Sequence, residues 1–197
     1  MSVKKVLITG ISGLVGSAIY QHLVQWPDRY EIYGLGRRRA ISDRVFDKRK
    51  INIPDSNYNV GDIADMDFVA SAVSGMDVVV HMAADPAGQG WESLHKNNIV
   101  GAYNIFEACK DACVKRVVAA STIQVSTGNC ELEPYKAISE QRYRDVPDHI
   151  AAVSTNTIGQ PRNLYAASKV WTESLAQVYG YSHGMSCLCI RIGWVTG

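Results

Sequence analysis

The chain has 197 residues, of which 47% are hydrophobic, and a formal net charge of +1. This length provides one core of ordinary size, so a single domain over 1–197 is expected. The basic residues are scattered apart from the run at 37–39, which does not favour nucleic acid as a partner. No apolar stretch reaches the roughly 20 residues of a membrane helix, and MSVKKV leads directly into a strand. We therefore expect a cytoplasmic protein with no membrane anchor.

The five cysteines do not form a metal-binding pattern. Cys109 and Cys113 are four residues apart and Cys187 and Cys189 are two apart, so neither pair has the CxxC spacing of a zinc site. The sequence predicts no metal site. Buried, reduced thiols are the expected state of these residues.

Short β-branched runs alternate along the chain with longer amphipathic stretches. In chain order, the predicted strands are 5–10, 30–36, 58–62, 77–84, 115–122 and 186–193, and the predicted helices are 14–24, 65–74, 92–112 and 164–180. The runs VVV and RVVAA are apolar at nearly every position, which indicates strands buried on both faces. The pattern predicts an α/β fold with a doubly wound parallel sheet.

Two segments interrupt this alternation, at 37–58 and at 128–163. Both are polar and lack clear periodicity, so both are predicted to be loops. In a doubly wound sheet the ligand lies beyond the carboxyl ends of the strands, where such loops begin. Both segments are therefore expected to begin next to the ligand.

A glycine-rich turn follows the first predicted strand in VLITGISGLVG. A helix that begins at the last of its glycines directs free N–H groups and the positive end of its dipole towards a phosphate. The alternative is a tight turn without a ligand, because Ile11 replaces the first glycine of the strict G-x-G-x-x-G pattern. The candidate phosphate-binding residues are Gly10, Ser12, Gly13, Leu14, Val15 and Gly16.

The second predicted strand ends in GLGRRR, without a carboxylate at its tip. A carboxylate at this position normally binds the adenosine ribose of NAD. Arg37 and Arg38 suit a 2′-phosphate instead, because guanidinium offers fixed donors to phosphate oxygens. The sequence thus favours NADP over NAD. A solvated basic loop is the alternative, particularly for Arg39.

The segment YAASK places Tyr165 and Lys169 on one face of a predicted helix. An ammonium group near a phenol lowers its pKa by stabilising the phenolate, so such a tyrosine can exchange protons near neutral pH. A Tyr–Lys pair on the surface is the alternative for an isolated YxxxK. Ser121 and Thr122 end the predicted strand 115–122, at the edge where a cofactor is expected.

Several motifs occur together in one order along the chain. They are the glycine turn, GD at 61–62, HMAA at 81–84, NNIVGAYNIFEA at 97–108, AAST at 119–122, YAASK at 165–169 and IRIG at 190–193. This combination resembles the extended short-chain dehydrogenase/reductase family, the NAD(P)-dependent sugar epimerases and dehydratases, over essentially the whole chain. Within it, GWESLHKNNIVGAYNIFEA is most similar to uronate dehydrogenases.

The resemblance implies a Rossmann fold and a set of site residues. Tyr165 would be the catalytic acid and base, Lys169 would hold the nicotinamide ribose, and Thr122 would hydrogen-bond the reacting oxygen. The remaining residues implied to contact or flank the cofactor are Asp62, Ile63, Ala83, Ala84, Asn98 and Ser121. The family's reaction implies oxidation or epimerisation at a hydroxyl or carbonyl of a sugar or sugar acid, in a homodimer.

The chain also departs from the family. Ile123 and Gln124 stand where uronate dehydrogenases carry Asn-His, which weakens the case for a sugar acid. The interval between Thr122 and Tyr165 is longer than is usual in the family, which suggests an inserted loop around 128–163 as a cover for the site. The sequence stops at RIGWVTG, so the C-terminal substrate segment is expected to be largely absent. A catalytically inactive dinucleotide sensor or scaffold is therefore the alternative function.

Overall fold

The computed structural model describes residues 2–45, 51–86 and 90–195. Its centre is a six-stranded sheet in the order β3-β2-β1-β4-β5-β6, with every neighbouring pair parallel. The strands are β1 (Lys4–Thr9), β2 (Tyr30–Gly36), β3 (Tyr58–Val60), β4 (Val78–His81), β5 (Arg116–Thr122) and β6 (Ser186–Ile192). Part of the predicted loop 37–58, at 46–50, and the final residue Gly197 lie outside the described residues.

Helices connect the strands at each of the four predicted places. They are α1 (Leu14–Leu23), α2 (Met66–Val73), α3 (Trp91–Leu94), α4 (Gly101–Asp111), α5 (Tyr135–Ser139) and α6 (Leu164–His183). A π-helical segment, His95–Val100, joins α3 to α4, so the predicted helix 92–112 is one continuous helical run. The predicted doubly wound α/β fold is confirmed.

The strand order fixes where a ligand can bind. The chain runs outward from β1 to β3 and then returns to place β4 on the other side of β1. Loops leaving β1 and β4 therefore diverge to opposite faces and open a crevice at the carboxyl ends of the two strands. The glycine turn after β1 lies at this switch point.

The apolar strands are buried because helices and loops cover both faces of the sheet. Leu7, Val79 and Val117 pack with Phe106 of α4 in the larger core cluster. Val6, Ile8 and Val80 belong to a second cluster with Tyr20 of α1. Successive residues of β1 thus enter different clusters, which explains why the strand sequences do not alternate with polar residues.

The prediction of an unstructured loop at 128–163 is wrong in part. It contains α5 and a 3₁₀ turn at Tyr143–Asp145. Arg142 stabilises this region by pairing with three carboxylates, those of Glu133, Glu140 and Asp145. Such helices are too short for an apolar periodicity to show in the sequence.

The structure also bears on the state of the cysteines and on membrane-spanning helices. The five cysteines are unpaired, but only Cys109 is fully buried, while Cys113 and Cys130 are exposed. The prediction of buried thiols is therefore wrong for these two: Cys113 lies in the turn after α4 and Cys130 in the 3₁₀ helix Ile123–Glu131. Within the described ranges, no helix has the length and apolarity to cross a membrane.

Candidate functional site

The glycine turn brings α1 very close to the ends of β1 and β4. Gly10 has a positive φ of 65°, and a Cβ there would lie 2.8 Å from the Ala83 backbone. A Cβ on Gly16 would lie 2.3 Å from the Gly10 carbonyl oxygen. That oxygen also accepts the Gly13 N–H at 2.9 Å. Larger residues at Gly10 or Gly16 would push the helix away from the sheet.

The N-terminus of α1 opens on a large cleft. Gly13 is the N-cap and offers no side-chain hydrogen bond to the first turn. Ser12, Leu14 and Val15 line the cleft beside it. The N–H groups of a first helical turn have no partner within the helix, and the helix dipole adds positive potential. The turn therefore has the shape and charge of a phosphate-binding site.

Basic residues of the cleft follow the end of β2. Arg37, Arg38 and Arg44 line the cleft. The Ser42 N–H donates to the Ser12 carbonyl oxygen at 2.9 Å, so the chain after β2 folds back over the glycine turn. This contact keeps the arginines next to the candidate phosphate site.

Arg39 has a structural role instead. Its guanidinium pairs with Asp55, donates to the Ile53 carbonyl oxygen at 3.0 Å and stacks 4.6 Å from the centroid of the Tyr58 ring. These contacts join the chain after β2 to the turn before β3. Arg39 is not among the residues that line the cleft.

Asp62 and Ile63 lie beyond the end of β3 and line the cleft. Asp62 accepts the Ala64 N–H at 3.0 Å and pairs with Lys96 at 2.9 Å. Burial raises the Asp62 pKa, but these two contacts together lower it below its ordinary value. Ile63 is largely buried and packs against Gly101. The loop is thus held firmly in place.

A buried polar pair fixes the end of β4. Thr9 Oγ1 lies 2.9 Å from His81 Nδ1 and accepts the Ala83 N–H at 3.1 Å. Burial, with a smaller contribution from Lys169, lowers the His81 pKa to about 3, so its imidazole is neutral. The pair sets the path of Ala83 and Ala84, which line the cleft.

Asn98 is the predicted site residue that does not line the cleft. Its Oδ1 accepts the Asp85 N–H at 2.7 Å, and its Nδ2 donates to the Asp85 carbonyl oxygen and to Ser168 Oγ. Asn98 therefore lies behind the cleft wall and connects the chain after β4 to α6. Its neighbour Asn97 lines the cleft instead.

The two hydroxyls at the end of β5 have different partners. Ser121 Oγ donates to Glu173 at 2.5 Å, and Arg191 holds the same carboxylate through two hydrogen bonds of 2.9 Å. Thr122 Oγ1 accepts the Gln124 N–H at 3.3 Å. Because Thr122 acts as an acceptor in this contact, its proton can be donated to a substrate oxygen.

Tyr165 and Lys169 lie one turn apart on α6, and both line the cleft. Lys169 is only 3% exposed, and its Nζ lies 5.9 Å from the centroid of the Tyr165 ring. Burial lowers the Lys169 pKa to about 8. The ammonium form still dominates at neutral pH.

The Tyr165 pKa differs from the sequence-based expectation. Burial raises it, Arg44 lowers it and Asp85 raises it, with a net increase above the ordinary value. The expected lowering by Lys169 is therefore wrong for the protein without ligand. Lys169 is placed over the ring, and the burial of the phenol outweighs the attraction of nearby cations.

The cleft encloses about 880 Å³ and brings together every predicted site residue except Asn98. Sequence reasoning missed six residues with polar side chains that also line it: Ser42, Arg44, Asp85, Ser93, Asn97 and Gln124. Asp85 and Gln124 follow the ends of predicted strands, and Ser93 and Asn97 lie close to Asn98 in the sequence, which was the available signal for these four. Ser42 and Arg44 lie within the polar segment 37–58 and had no such signal. In contrast to the expectation that 128–163 covers the site, no residue from 128 to 162, all of which the structure describes, lines the cleft.

A smaller pocket, here called the side pocket, adjoins the cleft at Tyr165. It measures about 340 Å³ and is lined by Pro86, Gly90, Leu94, Gln124, Asn163, Leu164 and Tyr165. Three of these residues, Pro86, Gln124 and Tyr165, also line the main cleft.

In the part of the chain that the structure describes, no group of three or more His, Cys, Asp or Glu residues could hold a metal ion.

The strand order and the glycine turn at the switch point define a Rossmann-type α/β protein. Residues 6–197 match the model of the NAD dependent epimerase/dehydratase family. The chain belongs to this family, as the sequence motifs predict.

Several of the relatives are named as sugar dehydrogenases. The chain is 35% identical over 192 residues to an L-arabinose 1-dehydrogenase (NAD(P)(+)) of Haloferax volcanii, covering 97% of this chain and 67% of that protein. It is 30% identical to an NAD-dependent glucose-6-phosphate dehydrogenase of the same organism, with shares of 97% and 68%. A uronate dehydrogenase of Pseudomonas syringae is 26% identical, with shares of 96% and 58%.

Solved structures support the same fold. The glucuronic acid dehydrogenase of Chromohalobacter salexigens superposes with a TM-score of 0.74 at 25% identity, covering 98% of this chain and 61% of that one. The expected similarity to uronate dehydrogenases is confirmed, although the two Haloferax dehydrogenases have higher identity. The chain spans about two thirds of these two relatives and a smaller share of the uronate dehydrogenases.

Proposed function

We propose that the chain is an NAD(P)-dependent oxidoreductase or epimerase that acts on a hydroxyl or carbonyl of a sugar or sugar acid. The main supporting observation is that Tyr165 and Lys169 line the same cleft as the glycine turn. A proton-exchanging group and a phosphate-binding turn in one cleft are the two parts such a reaction needs. The sugar dehydrogenases among the relatives support the proposal.

The residues of the cleft fit a dinucleotide. Gly10 and Gly16 leave no room for a Cβ, so backbone N–H groups can approach a pyrophosphate closely. The cleft volume of about 880 Å³ lies within the range of cofactor sites. When bound, the nicotinamide supplies the hydride chemistry.

The chain's own residues would manage the proton and the substrate oxygen. We assign Tyr165 the role of proton donor and acceptor for the substrate hydroxyl. Thr122 donates its hydroxyl proton to the same substrate oxygen, because its Oγ1 already accepts from Gln124. Lys169 holds the nicotinamide ribose with its ammonium group.

We further propose that NADP binds more tightly than NAD. Arg37 and Arg38 line the cleft after β2, where a 2′-phosphate would lie. The substitution Arg38→Ala should raise the Kd for NADPH about tenfold, because one charge-assisted contact contributes about 1.4 kcal/mol. The Kd for NADH should change little, because NADH has no 2′-phosphate. Fluorescence titration measures both constants, and exposed Arg144→Ala is the matched control. Equal affinity of the unaltered protein for the two cofactors would reject the preference.

A catalytically inactive dinucleotide-binding sensor is the second candidate function. The raised pKa of Tyr165 favours it, because a phenol that keeps its proton is a poor base. Titration with NADPH and NADH, followed by turnover assays with sugars and aldehydes, separates the two candidates. Binding without turnover of any substrate would favour the sensor.

We also propose a homodimer in the cytoplasm. Helices α4 and α6 pack side by side in the larger core cluster and leave Tyr103 and Val178 exposed at 42% and 52%. Paired helices with exposed apolar side chains suit a partner surface.

The cytoplasmic location is supported by the five unpaired cysteines, which suit a reducing compartment. Cell fractionation tests this location.

A further inference from the structure

Among the residues that the structure describes, those that line the side pocket next to Tyr165 carry no charged side chain. Backbone, amide, apolar and phenol groups form the described part of its lining. A carboxylate or phosphate placed there would lose its hydration without gaining a cation from this lining, which is unfavourable.

The charged residues that act on Tyr165 belong to the adjoining cleft. Arg44 and Asp85 both act electrostatically on Tyr165 and line the main cleft, but neither lines the side pocket. Asp85 is 8% exposed and accepts a hydrogen bond from Ser93 at 2.6 Å.

The orientation of the Gln124 amide follows from the start of α6. Asn163 is the N-cap of this helix, and its Oδ1 accepts the Ala166 N–H at 2.7 Å. The Nδ2 of Asn163 must then face the other way, and it donates to Gln124 Oε1 at 2.9 Å. The helix cap thus determines which end of the Gln124 amide is left for a ligand, namely the donor Nε2.

Gln124 is also fixed at its backbone. Its N–H donates to Thr122 Oγ1 at 3.3 Å, and Gln124 lines both the cleft and the side pocket. One residue therefore connects the hydroxyl assigned to bind the reacting oxygen with the N-terminus of the helix that carries Tyr165. The Nε2 of Gln124 is therefore a donor beside the residues assigned to the reacting oxygen.

We infer that the side pocket binds an uncharged monosaccharide and that Gln124 determines this specificity by donating its Nε2–H to a sugar hydroxyl. The volume of about 340 Å³ is near the lower limit for small-molecule sites, which suits one sugar ring better than a nucleotide sugar. The inference rests on the proposed oxidoreductase function and specifies its substrate class.

The test compares neutral aldoses, their uronic acids, their phosphate esters and a UDP-sugar as substrates of the full chain with saturating NADP. The neutral sugars should have the highest kcat/KM, at least about tenfold above their charged counterparts. Gln124→Leu should lower kcat/KM for neutral sugars by about 10- to 100-fold while cofactor affinity stays nearly unchanged. Gln25→Leu, at an exposed glutamine after α1, is the control.

Asn163→Asp tests the orientation of the amide. The aspartate keeps an oxygen for the Ala166 N–H, so the helix cap is retained. It cannot donate to Gln124, whose amide would turn and present its oxygen instead. KM for neutral sugars should rise, and the circular dichroism spectrum should remain that of the unaltered protein.

The outcomes separate this inference from the proposed function. A higher kcat/KM for a uronic acid, a phosphate ester or a UDP-sugar would overturn the inference and leave the oxidoreductase proposal intact. An unchanged kcat/KM in Gln124→Leu would overturn the role of Gln124. Cofactor binding without turnover of any of these sugars would overturn the proposed function, and with it the inference.

Discussion

Lys169 combines burial with a charge that the proposed chemistry requires. The side chain is 3% exposed, and burial lowers its pKa from 10.5 to about 8. A group whose charged form is disfavoured in the fold destabilises the folded protein wherever the unfolded chain is protonated. The site thus retains a destabilising residue, as binding and catalytic sites commonly do.

Lys169→Met should therefore stabilise the protein at pH 7. The shift from 10.5 to about 8 corresponds to about 3 kcal/mol at most. The unfolded chain binds more protons than the folded one between these two pKa values, so the destabilisation is complete below pH 8 and disappears as the pH rises to 10.5. Urea unfolding at both ends of this range measures the difference. A variant that is less stable at pH 7 would contradict the burial of an ammonium group.

Some site residues could be predicted from sequence and others could not. Tyr165, Lys169 and the glycines have a fixed spacing within one helix or turn, so local geometry determines their arrangement. Ser42 and Arg44 reach the cleft only through the fold of the chain after β2, which the contact between the Ser42 N–H and the Ser12 carbonyl oxygen holds. The Tyr165 pKa depends on burial by distant segments, which the sequence does not report.

At the scale of elements, the close approach of α1 to the sheet depends on Gly16. A Cβ there would overlap the Gly10 carbonyl oxygen, so Gly16→Ala should destabilise the fold by about 1–3 kcal/mol and weaken dinucleotide binding. Gly180→Ala, in the interior of α6, is the matched control, because its Cβ would meet only Met185 at 3.7 Å. This control should gain about 0.5–1 kcal/mol. Thermal unfolding and cofactor titration measure both effects, and equal stability of the two variants would contradict the close packing.

The elements themselves were predictable because each is long enough to show its period. Six strands and four helical runs occur where their apolar patterns place them. The short α5 has only five residues, and the contacts that support it come from a residue outside it, Arg142. Contacts between residues nine apart in an irregular segment leave no periodic signal.

At the scale of the whole molecule, the proposed dimer predicts an effect of charge on α6. Val178 is 52% exposed on this helix. Val178→Arg should shift the protein from dimer to monomer in sedimentation velocity, because a buried unpaired cation is unfavourable at an interface. Val24→Arg, at a valine 42% exposed after α1, is the control and should leave the dimer unchanged. A dimer that persists in Val178→Arg would exclude this face.

The central claim is that Tyr165 moves the proton in an NAD(P)-dependent reaction on a sugar. The most direct measurement compares the rate of NADP reduction by neutral sugars in Tyr165→Phe, the unaltered protein and the exposed control Tyr143→Phe, with cofactor affinity measured alongside. Tyr165→Phe should lose about 100-fold or more in kcat and keep its affinity for the cofactor, because only the proton-exchanging hydroxyl is removed. An unchanged kcat in Tyr165→Phe would contradict the account.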